Sequence, residues 1–239
     1  MSSDHVDQLL TGALIDNDVL SAHPDYTAVL IAATGLEPGP SSATSEALLL
    51  QAEAFAAEFA SIGDLGEAAA IAPWRAAYAS FGVKPRHARS SVESLLRRAG
   101  SGLPRVDRLT DTYNAVSVLQ LTPIGGEDLA GYVGAPRLAF AVGDEQFDTM
   151  ADGEPLIDHP DAGEVVWRDD LGVTCRRWNW RQCVRTRLTN TTTDALFIID
   201  GLGPDSRARA TTCADALIAG LAEDSPAARF RTHVLPVDE

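Results

Sequence analysis

A chain of 239 residues, 45% hydrophobic and 22% charged, is long enough to bury one full core and does not demand two independent folds. Its three cysteines (Cys175, Cys183, Cys213) are too few and too scattered for a disulfide framework or a zinc site, so a reducing cytoplasm is expected, with no metal and no cofactor. The formal charge of −15 argues against tight binding of nucleic acid by the surface as a whole and leaves no expectation of DNA binding; apolar runs no longer than residues 28–33 exclude a helix across a bilayer.

The charge is unevenly spread. Residues 1–73 carry eleven acids and no Lys or Arg, whereas fourteen of the nineteen basic residues fall within 74–110 and 167–187. If the fold brings those two windows together, they form a positive surface on an acidic protein; if not, they are ordinary solvated faces. The N-terminus has an acid, Asp4, where a secretory leader would be basic.

In chain order, 19–34 reads as a buried strand ended by Gly35 and Pro38. Ser41 to Glu46 offers N-cap chemistry to an alanine-rich helix running to about residue 60. A helix over 67–81 follows, closed by Gly82; Ser90 restarts one whose Leu95 and Leu96 face inward and whose Arg97 and Arg98 face out. The periodicity of 106–121 predicts a further helix. Strands are expected at 138–142, 164–167, 173–178 and 195–199, with 169–172 turning a hairpin. A last helix over 208–221 leaves an acidic, loose C-terminus. Helices in succession followed by strands indicate an α/β domain of the α+β type, a mixed sheet flanked by helices, rather than a doubly wound sheet. Residues 1–70 are expected to be an integral strand-and-helix part of the domain formed by 71–239.

Four polar stretches are candidates for chemistry. Arg108, Asp111 and Asn114 lie three apart and share a helical face, either a functional cluster or a solvated stripe. Gly125 and Gly126 are read as a tight turn allowing close backbone approach. In 176–181 (RRWNWR), strand alternation would put Arg177, Asn179 and Arg181 on one face, suited to a carboxylate or phosphate, and Arg176, Trp178 and Trp180 on the other; an aromatic core layer is the competing account. Glu164 and Asp200 are paired as carboxylates at the ends of apolar strands. The five histidines are isolated, and no Gly-rich phosphate loop or nucleophile elbow is present.

The ordered set WRAAYASFG (74–82), SSVESLLRR (90–98), DTYN (111–114), GGED (125–128), GE (163–164) and RWNWR (177–181) resembles the free-standing B3/B4 domain proteins, related to the editing module of the phenylalanyl-tRNA synthetase β-subunit. The resemblance implies a compact module with a central cavity and the hydrolysis, in trans, of an aminoacyl-tRNA ester, without ligase activity. Asn179, Arg181 and Asp200 would then be catalytic; Arg108, Asp111, Asn114, Gly125, Gly126, Glu164 and Trp178 would bind substrate; Arg86, Arg89, Arg97, Arg98 and Arg177 would meet tRNA with moderate, salt-dependent affinity. The family's editing histidine is replaced around Pro123, Ile124 and Gly125, and Asp200 stands for its glutamate, so tyrosine specificity does not carry over. A non-catalytic module binding tRNA, a nucleotide or an amino acid is the alternative, and a protein-interaction scaffold is a third; a monomer is compatible with each.

Overall fold

The computed structural model describes residues 3–237. In chain order the elements are α1 (Ser3–Thr11), β1 (Leu14–Ile15), α2 (Asn17–Ala22), β2 (Thr27–Thr34), α3 (Ala43–Ile62), α4 (Ala72–Ser80), α5 (Ser91–Ala99), α6 (Arg108–Leu119) and β3 (Ile124–Asp128). Then follow β4 (Arg137–Phe140), β5 (Phe147–Ala151), β6 (Glu154–Asp158), β7 (Val165–Arg168), β8 (Val173–Arg176), β9 (Arg181–Gln182), β10 (Asp194–Gly201), α7 (Ser206–Asp224) and β11 (Arg229–Leu235). Among these helices none is long and apolar enough to cross a membrane.

Two sheets organise the chain, with strand orders β11-β2-β10-β3 and β1-β4-β7-β8-β9; β5 and β6 form a separate hairpin. The first is antiparallel throughout. The second includes one parallel pair, β1 with β4, so the α+β architecture with a mixed sheet matches the expectation.

Both faces of the β2–β10 pair are covered. Val29, Ile31, Phe197 and Ile199 pack against α7 through Cys213 and Leu217, while Leu30, Leu196 and Ile198 meet Trp74, Trp167 and Trp178 on the opposite side. A strand buried on both faces has no reason to alternate, which is why 28–33 and 195–199 read as continuous apolar runs. A third cluster joins α3, α5 and α6 through Leu49, Val92, Leu96 and Val118. The start of α3 follows its cap: Ser42 Oγ accepts from the Ser45 amide and Ser45 Oγ from the Ser42 amide, each at 2.9 Å.

Several expectations are corrected. The strand read at 19–34 begins only at Thr27, because α2 takes up 17–22. The helix read at 67–81 starts at Ala72, since Pro73 lacks an amide hydrogen and fits only a first turn. Residues 124–128 are a strand rather than a tight turn, paired with β10 from Ile199–Ile124 to Ala195–Asp128. The C-terminal segment is not loose: β11 pairs with β2 along its whole length. A half-exposed edge strand with Arg229, Arg231 and His233 has little apolar signal, and its order comes from the neighbour it pairs with.

Because β2 lies between β10 and β11, the pairing supports the proposal that residues 1–70 belong to one folding unit with 71–239. A chain beginning at residue 71 is expected to give no cooperative melt by circular dichroism. A sharp transition would show instead that β10 and β11 close without β2.

Candidate functional site

The two sheets and the helices α5 and α6 enclose a cavity of about 250 Å³. Ile124, Gly125 and Glu127 of β3 and Ile198 and Asp200 of β10 form one wall; Trp167, Cys175 and Gln182 of the other sheet face them; Ser91, Ser94 and Leu95 of α5 and Tyr113 and Asn114 of α6 cover it. The register explains the wall. Gly125 pairs with Ile198 and Glu127 with Leu196, so these residues share the face that also bears Asp200. At Gly125 the nearest atom to an added Cβ is Gln182 Nε2 at 3.7 Å, so the missing side chain helps to open the space over Ile198.

Residues 177–180 form a turn between β8 and β9, against the strand alternation expected for 176–181. Arg177 (φ 48°) and Trp178 (φ 65°) are both left-handed, which rotates successive side chains out of a two-residue period. Amide bonds from Trp178 to Val165 O (2.6 Å) and from Trp180 to Arg176 O (3.1 Å) hold the turn. Trp178 is consequently fully buried, edge-on to His23, Tyr26 and Trp74. Trp178, Asn179, Trp180 and Arg181 all line the cavity, while Arg177 does not.

Asp200 anchors the buried polar network. Its Oδ1 accepts from Tyr26 OH (2.5 Å) and Trp167 Nε1 (3.4 Å), its Oδ2 from Asn179 Nδ2 (3.1 Å), and Asn179 Oδ1 accepts from Tyr78 OH (3.1 Å). Burial pushes the Asp200 carboxyl up to about 6 despite the three donors, which favour its charged form. With Oδ1 and one amide hydrogen committed, Asn179 keeps a single amide hydrogen to offer the cavity.

Of the candidates, Asn114, Gly125, Trp178, Asn179, Arg181 and Asp200 converge on this cavity. Arg108 and Asp111 do not. Asp111 accepts from Ser41 Oγ (2.5 Å) and the Val106 amide (2.8 Å), and Arg108 Nε donates to Pro40 O (3.4 Å), so both brace the loop before α3. Gly126 lies on the other face of β3, where an added Cβ would come within 2.8 Å of Leu188.

Glu164 is separated from Asp200 in role and place. It is 1% exposed and holds Arg176 (2.7 and 3.0 Å) and Arg177 (2.8 Å) in a buried ion-pair cluster. Its position after Gly163 pointed to function, but two arginines in the next hairpin claim it. Arg177 also lies over Trp180, 4.4 Å from the ring centroid.

Sequence reasoning missed Glu127, which lines the cavity at 1% exposure; burial pushes its carboxyl up to about 8, against the neighbouring Thr174 and Tyr132 hydroxyls. Its acidic neighbours along the chain made it look like part of a polar turn, and only the register with β10 turns it inward. Cys175 also faces the cavity, but burial raises its thiol well above the usual range and keeps it neutral. Among the described residues no cluster of three or more His, Cys, Asp or Glu is placed to hold a metal.

Beside the cavity, Arg75, Arg89 and Arg97 converge on one oxygen of buried Glu93, at 2.7, 3.5 and 2.9 Å. Three guanidinium groups, from α4, the segment before α5 and α5 itself, meet one carboxylate and leave a local excess of positive charge beside the helix whose Ser91, Ser94 and Leu95 cover the cavity. Arg86 and Arg98 are exposed nearby.

No curated protein matches the chain. Among solved structures it is similar to an N-terminal fragment of the phenylalanyl-tRNA synthetase β-subunit from Pyrococcus horikoshii, at 10% identity and a TM-score of 0.48, over 94% of this chain and 54% of that one; it therefore spans about half of that fragment. A family model described as the B3/4 domain matches residues 73–215, a span that contains β3, the 177–180 turn and Asp200, and the chain belongs to the B3/4 domain family.

Proposed function

We propose that the protein is a trans-acting aminoacyl-tRNA deacylase. The observation that carries this reading is the convergence of Asn114, Asn179, Arg181 and Asp200 on one cavity, with aromatic walls to hold an acyl group. Water attacks the ester carbonyl, the bond to the ribose oxygen breaks, and the proton leaves with that oxygen. The remaining amide hydrogen of Asn179, together with Arg181 at the mouth, stabilises the developing oxyanion. Asp200 holds Asn179 in register and, once ionised, orients the attacking water. The ester is already activated, so positioning suffices without a histidine.

Arg97 and Arg98 on α5, with Arg75 on α4 and Arg86 and Arg89 between the two helices, would take the phosphates of the acceptor stem while the charged end enters the cavity. The reading places the protein in the cytoplasm as a monomer that binds tRNA with moderate, salt-dependent affinity. Arg97→Ala is expected to lower the slope of log affinity against log salt by about one, measured by filter binding. An unchanged slope would remove α5 from the interface.

The decisive experiment is a deacylation screen against tRNAs charged with correct and incorrect amino acids. Wild-type protein is expected to release one of them, and Asn179→Ala to lose about 10²–10³ in rate. Activity should rise with pH through about 6 as Asp200 ionises, because the charged form is the one that orients water. If folded wild-type protein releases nothing from any charged tRNA, the deacylase reading fails. The second reading, a module that binds without turnover, is favoured by the saturation of Asp200 with three donors.

A further inference from the structure

Glu127 is the one cavity-lining carboxylate that the mechanism above leaves unused. It is almost completely buried, and its Oε2 has no hydrogen-bond partner. A buried carboxyl oxygen without a partner is costly to maintain, so a native fold that keeps one facing a cavity invites a ligand to supply the donor. The Thr174 and Tyr132 hydroxyls lie beside the carboxyl and favour its charged form, but neither closes a hydrogen bond on Oε2 and, among the described residues, no cation pairs with it. Arg185, the cation whose charge acts on it, is committed to Asp169 through Nη1 (2.7 Å) and Nη2 (3.0 Å) and to Gly131 O (2.6 Å).

Position along the sheet says which part of a ligand would meet Glu127. It pairs with Leu196, and Asp200 lies four residues further along β10, about 13 Å at a strand's rise. The Asn179–Asp200 group and Glu127 therefore mark opposite ends of one groove. Between them stand Gly125, Ile198, Trp167 and Tyr113, which offer space, an apolar side chain and ring surfaces, and no charge. An acyl group with its carbonyl at Asn179 would run an apolar stem across Ile198 and end at Glu127.

We infer that Glu127 makes this cavity selective for an acyl group whose side chain ends in an amine on an unbranched apolar stem. The inference rests on the deacylase reading for the identity of the acyl ester, but its recognition chemistry is independent of turnover. A terminal ammonium supplies the missing donor, and its charge converts Glu127 to the carboxylate, as an opposite charge does for any buried acid. The aromatic walls add attraction for a desolvated cation. An apolar side chain of equal length would leave Oε2 unpartnered.

The pH dependence follows with a definite sign. The ordinary glutamate pKa is raised to about 8 here, so below that Glu127 is mostly neutral and a cationic ligand must displace its proton. Preference for the amine should grow as pH rises towards 8. The groups that face Glu127 are Asp169, which raises its pKa further, Arg185, which lowers it, and the Tyr132 phenol and the Cys175 thiol, both held neutral by burial. Burial also pushes Asp200, in the same cavity, up to about 6, so it takes up a proton at the low end of the window, and this change acts on the lysyl and norleucyl compounds alike.

The test uses amide isosteres of 3′-aminoacyl-adenosine that cannot be hydrolysed, carrying lysyl, norleucyl or glutaminyl groups, with binding read from the fluorescence of Trp167, Trp178 and Trp180. The lysyl compound is expected to bind at least about tenfold tighter than the norleucyl one near pH 9, and the advantage to be lost by pH 6, because ionisation of a group with a pKa of about 8 falls by roughly two orders of magnitude over that range. Both compounds carry the same α-amine, so their ratio isolates the side-chain end. Glu127→Gln should abolish the advantage, bringing the ratio of lysyl to norleucyl affinity to about one at every pH. Equal binding by wild type, a glutaminyl compound that matches the lysyl one, an advantage that survives in Glu127→Gln, or no binding at all would overturn the inference. The wild-type pH series stands even if the variant fails to fold. Parallel assays with lysyl- and norleucyl-tRNA separate the two claims: amine preference without any hydrolysis sinks the deacylase reading alone, and hydrolysis without amine preference sinks the selectivity alone.

Discussion

Glu164→Gln is expected to cost the fold about 3–5 kcal/mol, enough to remove a large part of the stability of an ordinary domain. The cluster it serves is buried: the Glu164 side chain is 1% exposed, Arg176 8% and Arg177 15%. Nε and Nη2 of Arg176 donate to the two carboxylate oxygens, and Arg177 Nε donates to one of them. Replacing the acid leaves two guanidinium groups facing a neutral amide, with only the solvent-exposed Asp158 and Asp161 to balance them from outside. Removing one partner of such a cluster is much more damaging than the net contribution of the intact cluster, because the charges left behind have already lost their water. Urea denaturation should show the midpoint falling with little change in slope. A variant that melts like wild type yet binds the acyl-adenosine isosteres poorly would return Glu164 to the substrate.

Glu127→Gln should act in the opposite direction, by an amount that grows as pH rises above about 5. The folded-state pKa of about 8 lies above the ordinary glutamate value of 4.5, so between those values the folded protein holds a proton that the unfolded chain releases. Stability must therefore fall as pH rises through that window, and the full penalty, about 5 kcal/mol, is present only above pH 8. Glutamine does not titrate. The variant should match wild type near pH 5, gain on it steadily, and be the more stable protein by several kcal/mol near pH 9, measured by urea midpoints at each pH. A difference that stays constant with pH would mean that Glu127 ionises as freely in the folded protein as in the unfolded chain. Stability gained and amine recognition lost by one substitution would mark Glu127 as a group retained for its ligand.

These two acids show where reading the chain stopped. Both stand beside glycine in short acidic stretches, and nothing in their local sequence separates an ion-pair anchor from a cavity wall. Glu164 is decided by Arg176 and Arg177, which reach it from the far side of a hairpin. Glu127 is decided by the register of β3 on β10, which turns it inward with Gly125. The turn at 177–180 is a similar case. A run of six aromatic and basic residues has the composition of a strand, but two left-handed residues, held by Val165 O and packed around a buried indole, cancel its alternation.

By itself the sequence determined the elements whose signal is local: the buried runs of β2 and β10, the capped start of α3, the periodic helices α5 and α6, and the β7–β8 hairpin; it also singled out Asn114, Asn179, Arg181 and Asp200, which the fold brings to one cavity. Hydrophobic runs, capping side chains and helical spacing act within a few residues, so they can be read there. Tertiary structure alone decided the edge strand β11, the cavity's second carboxylate, and the division of the basic windows between buried ion pairs and the exposed face of α5. Each of those depends on which distant group satisfies a charge or an unpaired backbone. A buried carboxylate beside two arginines and one lining a groove look the same until the chain has folded.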